Sequence, residues 1–134
     1  MKTDKYVFDS YALLSFFQDE KGAATVREIL YAANAGKAVT FLSSINWGEL
    51  HYILYRRRGI QKAEEVLLLL ELLPVSIIEI DRDTIRRAAL IKAGHSLSYA
   101  DCFTSALAES MQAKIVTGDP EFKQIKNPAG FIWL

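Results

Sequence analysis

Cysteine occurs once in the 134 residues, at Cys102, and histidine only twice, at His51 and His95. A single thiol excludes an internal disulfide framework and suits a reducing compartment. With no HExxH or CxxC spacing, these side chains offer no zinc site. Net charge is missing as well, because 16 basic and 16 acidic residues cancel. Bulk electrostatics therefore do not announce nucleic acid or a membrane, and any such partner must be met by a local patch. No apolar run is long enough to span a bilayer, since "VLLLLELLPV" is broken by Glu71 and Pro74. The first twenty residues are interrupted by acids and carry no signal-peptide pattern, so a soluble, cytoplasmic protein without a membrane partner is expected. Repeats, low-complexity tracts and Pro/Ser-rich linkers are lacking too. What is present is a 51% hydrophobic chain, enough for a real core, whose length fits one domain over residues 1–134.

Strand candidates are short and spread along the chain: 5–9, 38–44, 75–80, 113–118 and 130–134. Helical patterns fill the gaps at 11–19, 23–35, 45–58, 60–73, 83–94 and 98–112. Gly59 breaks the third from the fourth, which makes them an αα-hairpin, and a short turn is expected at 120–124. Strands alternating with helices predict an α/β layer with a mostly parallel sheet. Such sheets hold their ligands at the carboxyl ends of the strands, near a switch in strand order.

Four acids stand where a solvated charge is a poor guess. Asp9 closes the first strand candidate, and Asp119 follows the fourth, in "KIVTGDPEF". Glu49 lies in "SSINWGELHYIL", beside an apolar face for which Ile45, Gly48 and Tyr52 are the inward candidates, with Leu50 and Ile53. Asp101 lies one turn into a helix of small and apolar residues, "LSYADCFTSALA". Each has a plain alternative. Asp9 can cap the helix after it, and Asp119 before Pro120 is a good N-cap with proline at N1. Ser98 and Asp101 fit a capping box, and Glu49 can be an ordinary exposed helix acid. Capping leaves a carboxylate lone pairs to spare, so the two readings do not compete. Taken jointly, carboxylates gathered in one cleft repel each other and are costly to desolvate. A divalent cation removes that cost, and an all-oxygen ligand set suits Mg²⁺ or Mn²⁺. Such a site is suited to cutting phosphodiesters.

"YVFDSYALLSFF", "SSINWGELHYIL", "LSYADCFTSALA" and "KIVTGDPEF" together resemble the PIN-domain family, and within it the VapC-type toxins of toxin–antitoxin pairs. The resemblance spans essentially the whole chain. It implies a three-layer α/β/α sandwich around a parallel sheet and metal-dependent endoribonuclease activity. It implies Asp9 and Asp101 as the foremost metal ligands, Glu49 and Asp119 as the acids completing the catalytic pocket, and Thr117 as a support that orients the turn or a water. The implied partners are an RNA substrate and an antitoxin, with the chain as a homodimer or a heteromer with the antitoxin. Glu121, Ser10 and Asn46 receive no assigned role.

Two other classes are weighed beside it. A phosphoacceptor receiver needs paired acids after the first strand and a lysine after a late one, which Asp9 and "KIVTGDP" do not provide. A PIN-like scaffold that binds RNA or protein without cutting would not need all four acids. Among the remaining features, Cys102 reads as a small buried thiol. "YRRRG" at 55–59 reads as a favourable helix end, or as an RNA-backbone contact helped by Arg82, Arg86, Arg87 and Lys92. Trp47, Tyr52 and Tyr55 read as core or interface. "AEEVLLLLELL" is apolar beyond one buried stripe and predicts a covering partner.

Overall fold

Residues 3–134 are described by a computed structural model. Five strands form one sheet: β1 (Asp4–Phe8), β2 (Ala38–Ser43), β3 (Ser76–Ile78), β4 (Lys114–Thr117) and β5 (Phe131–Trp133). All the pairings are parallel, and the strand order is β3-β2-β1-β4-β5. Six helices connect them: α1 (Ser10–Phe17), α2 (Ala23–Asn34), α3 (Ser44–Arg58), α4 (Ile60–Leu72), α5 (Arg82–Gly94) and α6 (Tyr99–Met111). A short 3-10 turn, Pro120–Gln124, follows β4.

From β1 the chain builds outward through β2 to β3, then crosses back to β4 and β5 on the other side. The two directions place their helices on opposite faces. Helices α1 to α4 bury Leu13, Leu30, Leu50, Leu54 and Leu67 against Phe8, Leu42 and Val116. Helices α5 and α6 bury Ile91, Phe103 and Leu107 against Val7 and Ile115 on the opposite face. The result is the expected three-layer sandwich. Because parallel strands buried on both faces need apolar residues at every position, Val7-Phe8 and Ile115-Val116 are contiguous pairs.

Expected and observed elements agree closely, and the largest difference has a geometric cause. The third strand was expected over 75–80 and spans only Ser76–Ile78. It is an edge strand that pairs only with β2, whose last residue, Ser43, lies opposite Ile78. Ser43 then becomes the N-cap of α3, so the ladder has no partner to continue on.

The inward face of α3 differs from expectation. Ile45 and Tyr52 are 40% and 47% exposed, while Asn46, Leu50 and Leu54 are fully buried at spacings of one helical turn. Asn46 is the polar member of that stripe because its groups are all satisfied. Its Oδ1 accepts from Thr104 Oγ1 on α6 at 2.9 Å and from the Ser43 hydroxyl, and its Nδ2 donates to the Ala100 carbonyl at 3.3 Å. Ser10 Oγ on α1 donates to the Asn46 carbonyl at 3.1 Å. One residue thus ties α1, α3 and α6 together.

Removing the Asn46 side chain leaves Thr104 and Ser43 hydroxyls buried without this partner. Asn46→Ala is expected to cost about 3 kcal/mol in urea unfolding. A loss below about 1 kcal/mol would show that the network does not hold the helices together.

Candidate active site

Each of three acids is delivered by a helix or turn start at the carboxyl edge of the sheet. Asp9 follows β1 and is the N-cap of α1, with Oδ1 accepting from the Ala12 amide at 2.8 Å. Asp101 occupies the first turn of α6, where Ser98 is the cap and Ser98 Oγ accepts from the Asp101 amide at 3.2 Å. Asp119 follows β4 and caps the 3-10 turn, accepting from the Glu121 amide at 2.9 Å with Pro120 at its start. The caps anticipated at Asp9, Ser98 and Asp119 are therefore all present.

Register brings Asp9 and Asp119 together. Strands β1 and β4 are neighbours, with Phe8 opposite Val116, so the residues just past them meet. This is also where strand order switches. Thr117 joins the two ends: its Oγ1 donates to Asp9 Oδ2 at 2.5 Å and accepts from the Asp119 amide at 3.0 Å. The hydroxyl therefore orients both the turn and the buried acid.

Gly118 is dictated by a neighbouring side chain and not by a turn that only glycine can make. Its backbone is not among the positive-φ positions. A Cβ there would run into the Tyr11 ring, with Cζ only 2.9 Å away. Glycine is needed because Tyr11, in the first turn of α1, lies against the backbone between Thr117 and Asp119.

Electrostatics distinguish this edge from the rest of the surface. Asp9 is 1% exposed, and its pKa is raised to about 7. Burial is the main cause. The hydrogen bonds from Thr117 and Ala12 oppose it, and the fields of Asp101 and Asp119 add to it. Asp101, partly exposed, is also raised to about 7, again first by burial. Ser98 opposes that shift, while Asp119, Glu49 and a hydrogen bond shared with the Asp119 carboxyl reinforce it. Glu49, half-buried on α3, thus faces Asp101. The ion pairs among the described residues are Arg27–Asp19 and Arg87–Glu109, and neither touches these four acids. Among the described residues, no cation pairs with this negative field.

Among the described residues, no three His, Cys, Asp or Glu side chains converge closely enough to grip an ion in this conformation. The acids face one another without closing on a single point, as repelling carboxylates do. Their chemistry still fits a hard divalent cation: oxygen donors only, an uncompensated charge, and a buried carboxylate whose capping bonds leave lone pairs over.

Other candidates fall away from this edge. Glu121 is exposed in the first turn of the 3-10 segment and contributes its amide, not its carboxylate. Ser10 is buried and spent on Asn46. Cys102 is fully buried, its thiol pushed up by burial, so it is no nucleophile. Lys92 donates to the Leu97 carbonyl at 2.9 Å and Arg87 pairs with Glu109 at 3.1 Å, so neither serves as a simple basic patch. Arg56–Arg58 form the exposed last turn of α3, as the helix-end reading expects. Trp47 is half-buried against the core, with its ring tilted 49° to that of His51 at 3.9 Å between centroids. Asn46 is the residue that hydropathy could not reveal.

A profile of the PIN domain family matches residues 6–128. The chain belongs to the PIN domain family. In fold it is similar to a chain in the crystal structure of DNA-bound VapBC from Salmonella typhimurium, with a TM-score of 0.74 at 17% identity, covering 97% of this chain and 98% of that one. VapBC2 from Rickettsia felis, bound to a DNA fragment from its promoter, gives 0.71 at 18% identity over 92% and 94%. VapC20 from Mycobacterium tuberculosis, a Sarcin-Ricin loop cleaving toxin, gives 0.63 at 18% over 83% and 85%. No curated protein matches the sequence significantly.

The raised carboxyls imply a stability profile. Native Asp9 and Asp101 keep their protons up to about pH 7, whereas in the unfolded chain they release them near the ordinary value of 3.8. Between these limits the native state binds more protons, so their contribution to stability is full below about pH 4 and is lost as pH rises to about 7. Asp101→Asn removes one member and keeps a side chain suited to a helix start. After discounting for solvent screening at a partly exposed group, the metal-free variant is expected to gain roughly 1 kcal/mol, or about 3–5 °C in Tm, at pH 7.5. The gain should vanish by about pH 4. Thermal melts across this range check it, and a pH-independent difference would deny the charge repulsion.

Proposed function

We propose that this chain is a metal-dependent endoribonuclease, the toxin member of a toxin–antitoxin pair, with Asp9, Glu49, Asp101 and Asp119 as its catalytic and metal-ligating acids. The observation that carries the reading is the buried Asp9 carboxyl at the strand switch, set among Asp101 and Asp119 with no ion-paired cation among the described residues. Family membership and the fold shared with a VapBC structure and with VapC20, a Sarcin-Ricin loop cleaving toxin, support it. We take residues 1–134 as one nuclease domain acting in the cytoplasm; no described helix is long and apolar enough to cross a membrane.

Mg²⁺ or Mn²⁺ held by these carboxylates would supply a Lewis acid for the phosphate and a lowered pKa for water. The chain's own groups prepare that chemistry. Thr117 and the Ala12 amide lock the Asp9 carboxylate, so no rotamer search delays the reaction. The proton that burial keeps on the Asp101 carboxyl up to about pH 7 is the one a cation displaces. In hydrolysis a water oxygen bonds to phosphorus, one ester P–O bond breaks, and the leaving oxygen takes up a proton.

Partner and substrate follow from the surface. Leu68, Leu69 and Leu72 on α4 are 66%, 53% and 82% exposed, an apolar strip that a partner helix would cover. The partner is an antitoxin whose apolar segment packs there and whose arginine reaches the uncompensated acids, since a guanidinium pairs with carboxylates in bidentate fashion. A second copy of the chain is the other occupant such a strip admits.

Purified protein is expected to cleave RNA with Mg²⁺ or Mn²⁺ and to stop in EDTA. Asp9→Asn should lose on the order of 100-fold or more in cleavage while remaining folded. Thr117→Val, which keeps the shape but not the hydrogen bond to Asp9, should lose roughly 10- to 100-fold. Timed cleavage assays with circular dichroism on each variant decide it. Full activity in EDTA, or in Asp9→Asn, would remove the metal mechanism. A folded protein that binds RNA but cuts none with either ion would favour the scaffold reading.

A further inference from the structure

Strand β5 ends beside the acids. Trp133 lies opposite Thr117 in the β4–β5 register, and the Leu134 amide donates to the Thr117 carbonyl at 3.0 Å. The residue that orients Asp9 is thus one strand from an indole. Trp133 is 44% exposed, an unusual position for the largest apolar side chain.

The indole is held from behind. Phe131 stacks on it at 4.8 Å between centroids, with 17° between planes. Phe131 in turn meets Phe122 edge-on at 6.3 Å, and Phe122 is fully buried. Three rings therefore run from the core to the surface and fix the outermost one. Lys123, on the 3-10 turn that Asp119 caps, places its ammonium 5.9 Å from the Trp133 centroid. That is the outer limit of a cation–π contact, and Lys123 is itself exposed. A ring inserted over the indole would displace only this loose contact and free the ammonium for a neighbouring phosphate.

We propose that Trp133, backed by Phe131 and flanked by Lys123, is a stacking platform for one unpaired base of the RNA, next to the phosphate held at the acidic edge. A preformed, half-exposed aromatic plane beside a cation is how single strands are held, because every base has a π-face. The platform would select single-stranded or splayed-out RNA over duplex, whose bases are not free to stack on protein. Trp133 and Lys123 are positioning residues in this scheme, and the inference rests on the ribonuclease reading above.

Two measurements test it. In EDTA, the full chain is titrated with an adenosine-rich single-stranded RNA of roughly 12 nucleotides, and with an abasic strand of the same length and charge. The expected result is quenching of tryptophan emission by the RNA but not by the abasic strand, lost in Trp133→Phe. With metal, Trp133→Ala should raise KM for single-stranded RNA roughly tenfold, with kcat within about twofold. Lys123→Gln should raise KM by a few-fold and flatten its salt dependence. Equal quenching by the abasic strand, quenching that survives in Trp133→Phe, or an unchanged KM in folded Trp133→Ala would overturn the platform. If the wild-type chain cuts no RNA, the ribonuclease reading has failed, and the emission titration still decides separately whether Trp133 stacks on a base.

Discussion

A carboxylate buried at the seam of two parallel strands sets the terms for this molecule. Asp9 sits where β1 and β4 end side by side, and it cannot leave without undoing the start of α1. Burial favours its neutral form, and the bonds from Thr117 and Ala12 favour its charged form. Burial wins, and the neighbouring acids add to the imbalance. The surrounding features accommodate that one group. Thr117 is opposite it by register, Gly118 is bare so that Tyr11 can close over the turn, and Asn46 bolts the helices whose first turns surround the edge.

Most of the architecture was legible because it depends on local signals. Proline and glycine mark the boundaries, and short β-rich runs alternate with helical periodicity. The capping residues Asp9, Ser43, Asp81, Ser98 and Asp119 sit one position before the segments they start. Asp9, Asp101 and Asp119 could be read as a set because each lies at a strand end or in a helix start, whereas Glu49 sits in the second turn of α3. Topology then brings these places to one edge. That step needs only the rule for where parallel sheets hold their ligands.

What could not be read depends on pairing across the chain. Asn46 looks like a surface residue by hydropathy, but Thr104, 58 positions away, makes it a core residue. Ile45 and Tyr52 look inward by the same scale and are not. The stripe on α3 is set by which residues can be satisfied at its contact with α6, and hydropathy does not register satisfaction. The need for glycine at 118 is hidden for the same reason, because the ring that fills its space belongs to α1. Trp133 and Lys123 are ten residues apart and meet only because β5 returns beside the turn after β4.

The same geometry explains how the acidic cluster persists in a folded chain. Asp9 and Asp119 each accept a backbone amide at the start of a helical segment, and Asp101 lies in the first turn of α6. Three helical starts therefore turn their first-turn amides toward one region, and each carries partial positive charge. This offsets part of the repulsion among the carboxylates without ending it, since Asp9 and Asp101 still hold protons to about pH 7. A lysine or arginine in their midst would have completed the neutralisation and occupied the place of a substrate-side cation. Partial neutralisation by backbone keeps the acids folded in place and leaves the remainder of their charge without a paired cation among the described residues.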